Sequence, residues 1–423
     1  MLLLHAADLH LGKTLRERDL LDDQAFALEA IVESIARLRP AALLLAGDIY
    51  DRSIPPPEAI RLFDSFLRRA VEAAPEMAIV AVPGNHDSAA RLSFGATLLE
   101  RAKVHLRTRP EDCAQPVLVE SGGERAAIWA LPFLGPGAFA GGGRLSEAEP
   151  SPAASAPARP GELPFDDPAE AGPAEPGAGG SGPCPRSQAE LFAHAMRAIG
   201  SRLAPDSYNV LVAHCFAAGG AASESERAFV GLSEQVDASL LERFDYAALG
   251  HLHRYQAAGR SGRYSGSPLA YSFAEGGEER GFALAELGPG GLSAELVRIK
   301  PKRAMRRVEG ALLSLSAPGS FPELREDYVE ARLTDPEPVL NPSDSLRANF
   351  PNLLSVRQAA FEIAPADAAS GAPAAAAGRE ARGPAAVAAD FAAFHEEMRG
   401  SPPAGAEAEL FAALLAEAES ASL

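Results

Sequence analysis

Residues 1–51 read MLLLHAADLHLGKTLRERDLLDDQAFALEAIVESIARLRPAALLLAGDIYD, and this stretch decides the fold. Two short apolar runs, LLLHA at 2–6 and ALLLA at 42–46, each give way to a polar loop carrying a carboxylate, Asp8 after the first and Asp48 after the second. Between them, Asp22 to Leu38 repeats apolar residues at helical spacing. Short apolar runs alternating with a helical pattern predict the stacked strand and helix layers of an α/β protein.

The rhythm continues outward. Glu58 to Ala73 predicts a second helix and MAIVAV a third strand, and AAIWALP, NVLVA and DYAALG predict more. From about Tyr255 to Arg298 the pattern turns to β-strands separated by Gly-rich turns. We therefore expect a main domain over 1–300 and a small α+β capping domain over 301–363. Residues 135–186 are rich in Pro, Gly, Ala and Ser with few large apolar side chains, which predicts a disordered insertion. An Ala-rich linker is expected over 364–388 and a helical tail over 389–423. In the tail, Phe391, Phe394 and Met398, then Leu410, Phe411, Leu414 and Leu415, form apolar faces suited to docking on the same chain or in a partner's groove.

With 423 residues, the chain is long enough for a sizeable core and additional small units. The cysteines, Cys113, Cys184 and Cys215, are odd in number and form no C-x-x-C pair, so neither a disulfide framework nor a thiolate zinc site is expected. A reducing cytoplasm suits them. MLLLHAADLH lacks the basic start and apolar length of a signal peptide, and no segment approaches the about 18 apolar residues of a membrane span. The 39 Lys and Arg against 57 Asp and Glu give a formal charge of -18, which argues against adhesion to nucleic acid through a basic surface.

Five motifs carry the chemistry, each where an apolar strand ends: Asp8-Leu9-His10, Gly47-Asp48-Ile49-Tyr50-Asp51, Gly84-Asn85-His86-Asp87, His214, and Gly250-His251-Leu252-His253. Open α/β sheets build their sites at such edges. Any one motif alone is commonplace, as a turn, a helix cap or a packed histidine; their order along the chain is what points to a site. Asp8, His10, Asp48, Asn85, His214, His251 and His253 offer carboxylate, imidazole and amide oxygen without thiolate, which suits Mn²⁺, Fe²⁺ or Zn²⁺ better than Ca²⁺. One octahedral ion has no room for all of them together with water and substrate, so two ions sharing Asp48 are expected. The D-x-H spacing predicts that Asp8 and His10 share one side of an extended segment. His5, His105, His194, His395 and Trp129 fall outside these loops and are read as packing or surface residues.

On these motifs the chain resembles the calcineurin-like metallophosphoesterase superfamily, whose D-x-H, G-D-x-x-D, G-N-H-D/E, H and G-H-x-H pattern is complete here. HAADLHLGK, LAGDIYDRSIPP, VPGNHDS, LPFLGP, VAHCF, DYAALGHLHRYQ and YSGSPLAYSF narrow the resemblance to its DNA-nuclease branch, over about Met1 to Ala285 and, more loosely, the tail. The insertion and the alanine-rich linker depart from that branch. The resemblance implies a four-layered sandwich with two divalent ions, most often Mn²⁺. Asp8, His10, Asp48 and His253 would hold one ion, and Asp48, Asn85, His214 and His251 the other. It implies exonuclease action on double-stranded DNA ends and opening of hairpins, in recombination and break repair. The implied partner is an SMC-like coiled-coil ATPase, with a homodimer inside a heterotetramer. His86 is then expected to stabilise the transition state or protonate the leaving oxygen, with Asp51 orienting its ring. Arg16, Arg18, Arg52 and Arg91 flank the loops as candidate DNA contacts. A phosphomonoesterase or cyclic-nucleotide phosphodiesterase would need the same metals, and a non-catalytic DNA-end-binding scaffold would need none.

Overall fold

The computed structural model describes residues 1–135, 138–139, 187–217, 235–361 and a discontinuous set between 388 and 414. The expected insertion and linker lie almost wholly outside the described residues, as do Cys184, Phe394, Met398 and Leu415. In chain order the principal elements begin with β1 (Leu2–Ala6), α1 (Leu21–Leu38), β2 (Ala42–Ala46), α2 (Pro57–Ala73), β3 (Ala78–Val82) and β4 (Val104–Leu106). There follow β5 (Val117–Ser121), β6 (Glu124–Leu131), α3 (Gln188–Gly200), β7 (Tyr208–His214) and β8 (Tyr246–Gly250). The strand-rich stretch supplies β9 (Gln256–Ala258), β10 (Gly262–Tyr264), β11 (Gly281–Gly288) and β12 (Gly291–Arg298), and the last three strands are β13 (Met305–Gly310), β14 (Tyr328–Leu333) and β15 (Leu353–Gln358).

Two six-stranded sheets result, in the orders β12-β11-β1-β2-β3-β4 and β9-β10-β8-β7-β6-β5. The central strands of each, β1-β2-β3 and β6-β7-β8, run parallel. Alternation along these strands splits the core into layers, since successive side chains point to opposite faces. Leu4, Leu43, Leu45 and Ile79 pack beneath α1 and α2 with Ile31, Ile35, Phe63 and Phe66. Leu3, Leu44, Val80, Ile128, Val210 and Val212 fill the space between the sheets. Trp129, Leu211 and Leu249 face α3 with Phe192, Met196 and Ile199. The order is helix, sheet, sheet, helix: the four-layered α/β sandwich. Helix ends follow local chemistry. Asp22 and Asp23 lie in the first turn of α1, where carboxylates complement the helix dipole, Pro57 opens α2, and Ser187 and Glu190 form a capping box on α3.

β13, β14 and β15 make a third, parallel sheet over its own core of Val308, Leu315, Val329, Leu333, Leu346 and Phe350. Sequence reading sets this region apart as a domain ending at residue 363. Met1–Ala360 form one compact unit that takes in this sheet, and Lys302, Arg303 and Tyr328 bond to Asp22 and Asp23 of α1. The second unit, Phe361–Leu423, stacks Phe391 on Phe411 with ring centroids 4.0 Å apart and exposes Leu410 and Leu414. No helix among the described residues is long and apolar enough to cross a membrane.

Trp129, the chain's single tryptophan, is buried, and its indole N–H donates to Asn209 Oδ1 at 3.1 Å. Asn209 also pairs with both main-chain groups of Ala204. Asn209→Ala should therefore destabilise the fold by about 1–3 kcal/mol by leaving these groups unpaired. A lower thermal midpoint and a changed Trp129 emission would report it; an unaltered midpoint would show the bond to be dispensable.

Candidate metal centre

The carboxyl ends of β1, β2 and β3 in one sheet meet those of β7 and β8 in the other, and every motif sits on one of these five ends. Main-chain bonds stitch the ends together. The amide of Asp8 donates to the Gly47 carbonyl at 3.1 Å and that of His10 to the Asp48 carbonyl at 2.9 Å, while the amide of His251 donates to Asp8 Oδ1 at 3.0 Å. His214, at the end of β7, reaches across to the Ala46 carbonyl through Nδ1 at 2.9 Å.

All seven expected ligands come together. His214 Nε2 lies 2.9 Å and His251 Nδ1 3.2 Å from Asn85 Oδ1. Asp48 Oδ2 lies 3.7 Å from His10 Nε2 and 3.6 Å from His214 Nε2, placing it between the two halves of the set. His10 Nε2 and His253 Nε2 face each other at 3.1 Å. Donor atoms of Asp8, His10 and His253, of His10, Asp48 and His86, and of Asp8, Asp48 and His214 lie within 4.8 Å of one another in each group.

The reason expected for the first pair does not hold. Asp8 and His10 do not alternate along an extended segment; both adopt left-handed backbone, at φ 54° and 44°. Asp48 does so too, at 49°, and His251 has φ 110°. Such backbone is sparsely populated by non-glycine residues and persists only where the surroundings impose it. Here the inter-strand hydrogen bonds impose it. The motif glycines answer the same crowding: a Cβ on Gly84 would fall on Asp48 Oδ1, and one on Gly250 on the Ala46 carbonyl oxygen.

Burial sets the charge state. It drives the His10 imidazole down to about 4, against the pull of Asp51 and Asp48, and the His251 imidazole down to about 3, aided by His214. Burial also lowers His214, with Asp48 opposing. These rings are therefore neutral near pH 7 and present lone pairs. Burial pushes the Asp48 carboxyl up, but His214, His10 and His86 outweigh it and bring it to about 2. Asp87 goes the other way, to about 6, through burial and the neighbouring Asp48 charge.

Buried carboxylates surrounded by neutral imidazoles leave negative charge unbalanced, which is costly in a low-dielectric setting unless a cation balances it. The geometry agrees. His253 Nδ1 bonds to Glu275 Oε1 at 3.4 Å, and His10 Nδ1 lies 3.6 Å from Asp51 Oδ1, so the two Nε2 atoms turn toward each other. Two nitrogens bound at about 2.1 Å to one ion sit about 3 Å apart across a right angle. The residues fit a divalent cation.

The remaining expectations divide. His86 Nδ1 lies 2.9 Å from the Asp51 main-chain oxygen, so the contact between the two residues runs through the Asp51 carbonyl. The carboxylate instead accepts from Lys13 Nζ at 2.6 Å. Arg52 is exposed, 3.8 Å from Asp51 Oδ2. Arg16, Arg18 and Arg91 are also exposed, and Arg18 bonds to Tyr328 of the third sheet.

Four supporting residues escaped sequence reading. Asp87, inside the quoted motif, accepts from the amides of Gly84, Ile49 and Tyr50. Glu275 backs His253, Lys13 balances Asp51, and Gln24 holds the His10 loop. Asp87 alone had a signal, its place beside Asn85 and His86. Of the histidines outside the motifs, His5 is buried against the Tyr246 hydroxyl at 2.8 Å.

Residues 1–128 match the family described as Calcineurin-like phosphoesterase, and residues 301–396 the one described as Type 5 capsule protein repressor C-terminal domain. Among curated proteins, the chain is similar to SbcD, a component of the SbcCD nuclease of Staphylococcus saprophyticus, 26% identical over 365 residues that make up 86% of each chain. Among solved structures, it is similar to the crystal structure of TT1561 of Thermus thermophilus, at 16% identity and a TM-score of 0.36, over 70% of this chain and 99% of that one. The first family match ends before His214, His251 and His253, which the fold brings to the same edge. A phosphoesterase domain of this family implies divalent-metal binding, in keeping with the donor set.

Two outcomes are expected. Gly84→Ala should displace the Asp48 carboxylate and abolish stoichiometric binding of divalent metal, read by elemental analysis, with the circular dichroism spectrum retained; full metal content would refute the packing argument. His5, His10 and His251 titrate at about 3 to 4 when folded and near 6.5 when unfolded. The unfolded chain therefore binds more protons below pH 6.5, and metal-free protein should lose stability as pH falls from 6.5 toward 4. Denaturant titrations that are flat over that window would contradict this.

Proposed function

We propose that this chain is a calcineurin-like phosphoesterase acting as a divalent-metal-dependent DNA nuclease, together with an SbcC-like coiled-coil ATPase, on double-stranded ends and hairpins. The observation that carries the chemistry is the convergence of Asp8, His10, Asn85, His214, His251 and His253 around Asp48. The substrate and partner are supported by the relative named as part of a nuclease, whose similarity runs through 86% of both chains. A homodimer within a heterotetramer, in the cytoplasm and on the nucleoid, completes the reading.

On this reading Asp8, His10, Asp48 and His253 hold one cation, and Asp48, Asn85, His214 and His251 a second, with Mn²⁺ the ion we favour. Bound divalent ions supply a nucleophilic water near neutral pH and offset charge on the phosphate oxygens. The protein's own groups do the rest. The Nδ1–H of His214 donates to the Ala46 carbonyl and that of His253 to Glu275, which fixes each tautomer with Nε2 toward the site. His86, held at Nδ1 by the Asp51 carbonyl, would pass a proton through Nε2 to the leaving oxygen. Its main-chain amide meanwhile donates to Asp48 Oδ1 at 3.0 Å, tying the loop after β3 to the loop after β2.

The test is incubation of the purified protein with Mn²⁺ and end-labelled hairpin DNA, with and without the ATPase. Release of labelled fragments that stops on chelation is expected, and His86→Ala should slow it by about 10²–10⁴-fold while metal binding persists. Cleavage of small phosphate esters but never of DNA would overturn the nuclease reading. Near wild-type turnover of His86→Ala would remove that residue from the reaction.

A further inference from the structure

The first turn of α1 faces two ways. Gln24, buried, donates through Nε2 to the carbonyl of His10 at 2.7 Å and that of Leu9 at 3.4 Å, and its Oε1 accepts from the Gly12 amide at 3.0 Å. It holds the loop where His10 takes left-handed backbone. Asp23, the preceding residue and equally buried, bonds in the other direction. Its Oδ2 accepts from Arg303 Nη1 at 2.8 Å and from the Tyr328 hydroxyl at 2.7 Å. Tyr328 opens β14, and Arg303 lies in the connection leading into β13. Asp22 adds Lys302 at 2.6 Å and Arg303 at 3.1 Å.

The junction these contacts bridge is not solidly packed. A cleft of about 610 Å³ runs along it, walled by Leu269, Ile299 and Met305 and by charged residues. Much of its positive charge is paired locally: Arg298 with Glu279, Arg306 with Asp327 and Arg280 with Glu278. The cleft is a seam of mixed polar and apolar lining, and part of what holds the third sheet against it is the hydrogen-bonded pair on Asp23.

We propose that Asp23 and Gln24 are positioning residues that couple the seating of the third sheet to the His10 loop. The inference rests on the reading that this loop holds a divalent ion. Adjacent residues in one helical turn share a stiff backbone, so releasing Arg303 and Tyr328 from Asp23 relaxes the anchor from which Gln24 reaches His10. Small movements suffice. N–H···O hydrogen bonds are mostly about 2.7–3.2 Å long, and metal ligands tolerate about 0.2 Å.

The experiment is a Mn²⁺ titration of the full chain by electron paramagnetic resonance, with the metal-free melting temperature measured alongside. Gln24→Ala should weaken Mn²⁺ binding by about tenfold, as loss of a group supporting a ligand does. Tyr328→Phe and Arg303→Met should each weaken it by about fivefold, the range of coupling between separate sites. Arg307→Gln, which breaks the ion pair to Glu330 in the same sheet, should leave it unchanged. Adding Tyr328→Phe to Gln24→Ala should bring little further loss, because the relay is already cut. If Tyr328→Phe and Arg303→Met lower the melting temperature but bind Mn²⁺ as tightly as wild type, they are structural and the coupling is wrong. If wild-type protein binds no Mn²⁺, the metal reading itself fails and this inference falls with it.

Discussion

The structure depends on how negative charge is held where two sheet edges meet. Asp8 and Asp48 are buried within a few ångströms of His10, His214 and His253, and burial keeps His10 and His214 in their neutral form. A carboxylate buried without a cation is among the least favourable groups a fold can contain. Neighbouring groups help to keep it there: amides of His251 and His86 donate to Asp8 and Asp48, and Gly84 clears the space the Asp48 carboxylate occupies. Local stability is given up for a site ready to receive divalent ions, which ties folding to metal occupancy.

The same trade explains the backbone. Asp8, His10, Asp48 and His251 all have positive φ, each unfavourable on its own. Their inter-strand hydrogen bonds come from parallel strands buried on both faces, which are stiff because each is paired on both edges. A helix or an exposed loop could not hold four such residues together. The layered architecture is thus part of the chemistry, since it provides edges rigid enough to absorb the strain.

How far this was legible in the sequence follows from where the information sits. The strands β1, β2, β3, β7 and β8 were readable because burial on both faces leaves an apolar run that polar residues cannot interrupt. The ligands were readable because each follows such a run. The period-2 argument for Asp8 and His10 failed because it carried strand geometry past Ala6, where β1 ends. How Asp51 meets His86 was not legible, because the contact is made by a main-chain carbonyl, which every residue carries. Gln24 and Glu275 left no trace, since each is a lone polar residue whose partner lies far along the chain or on another element. The seating of the third sheet was equally hidden, because it depends on side chains some 280 and 305 positions apart.

Net charge bears on how such a protein would meet a polyanion. The chain carries -18, and the arginines and lysines along the third-sheet seam are mostly engaged with Asp22, Asp23, Glu278, Glu279 and Asp327. Long-range attraction to nucleic acid therefore does not arise from a broad basic face, and beyond about 8–10 Å salt screens what fields remain. On the proposed function, the short-range pull on phosphate falls to the cations seated around Asp48, while exposed arginines such as Arg52 and Arg91 act only once the backbone is already near. Affinity for DNA would then come largely from elsewhere in an assembly, and this chain would contribute cleavage. That division of labour suits a protein whose second unit exposes Leu410 and Leu414, and it makes a weak intrinsic affinity for DNA compatible with efficient hydrolysis.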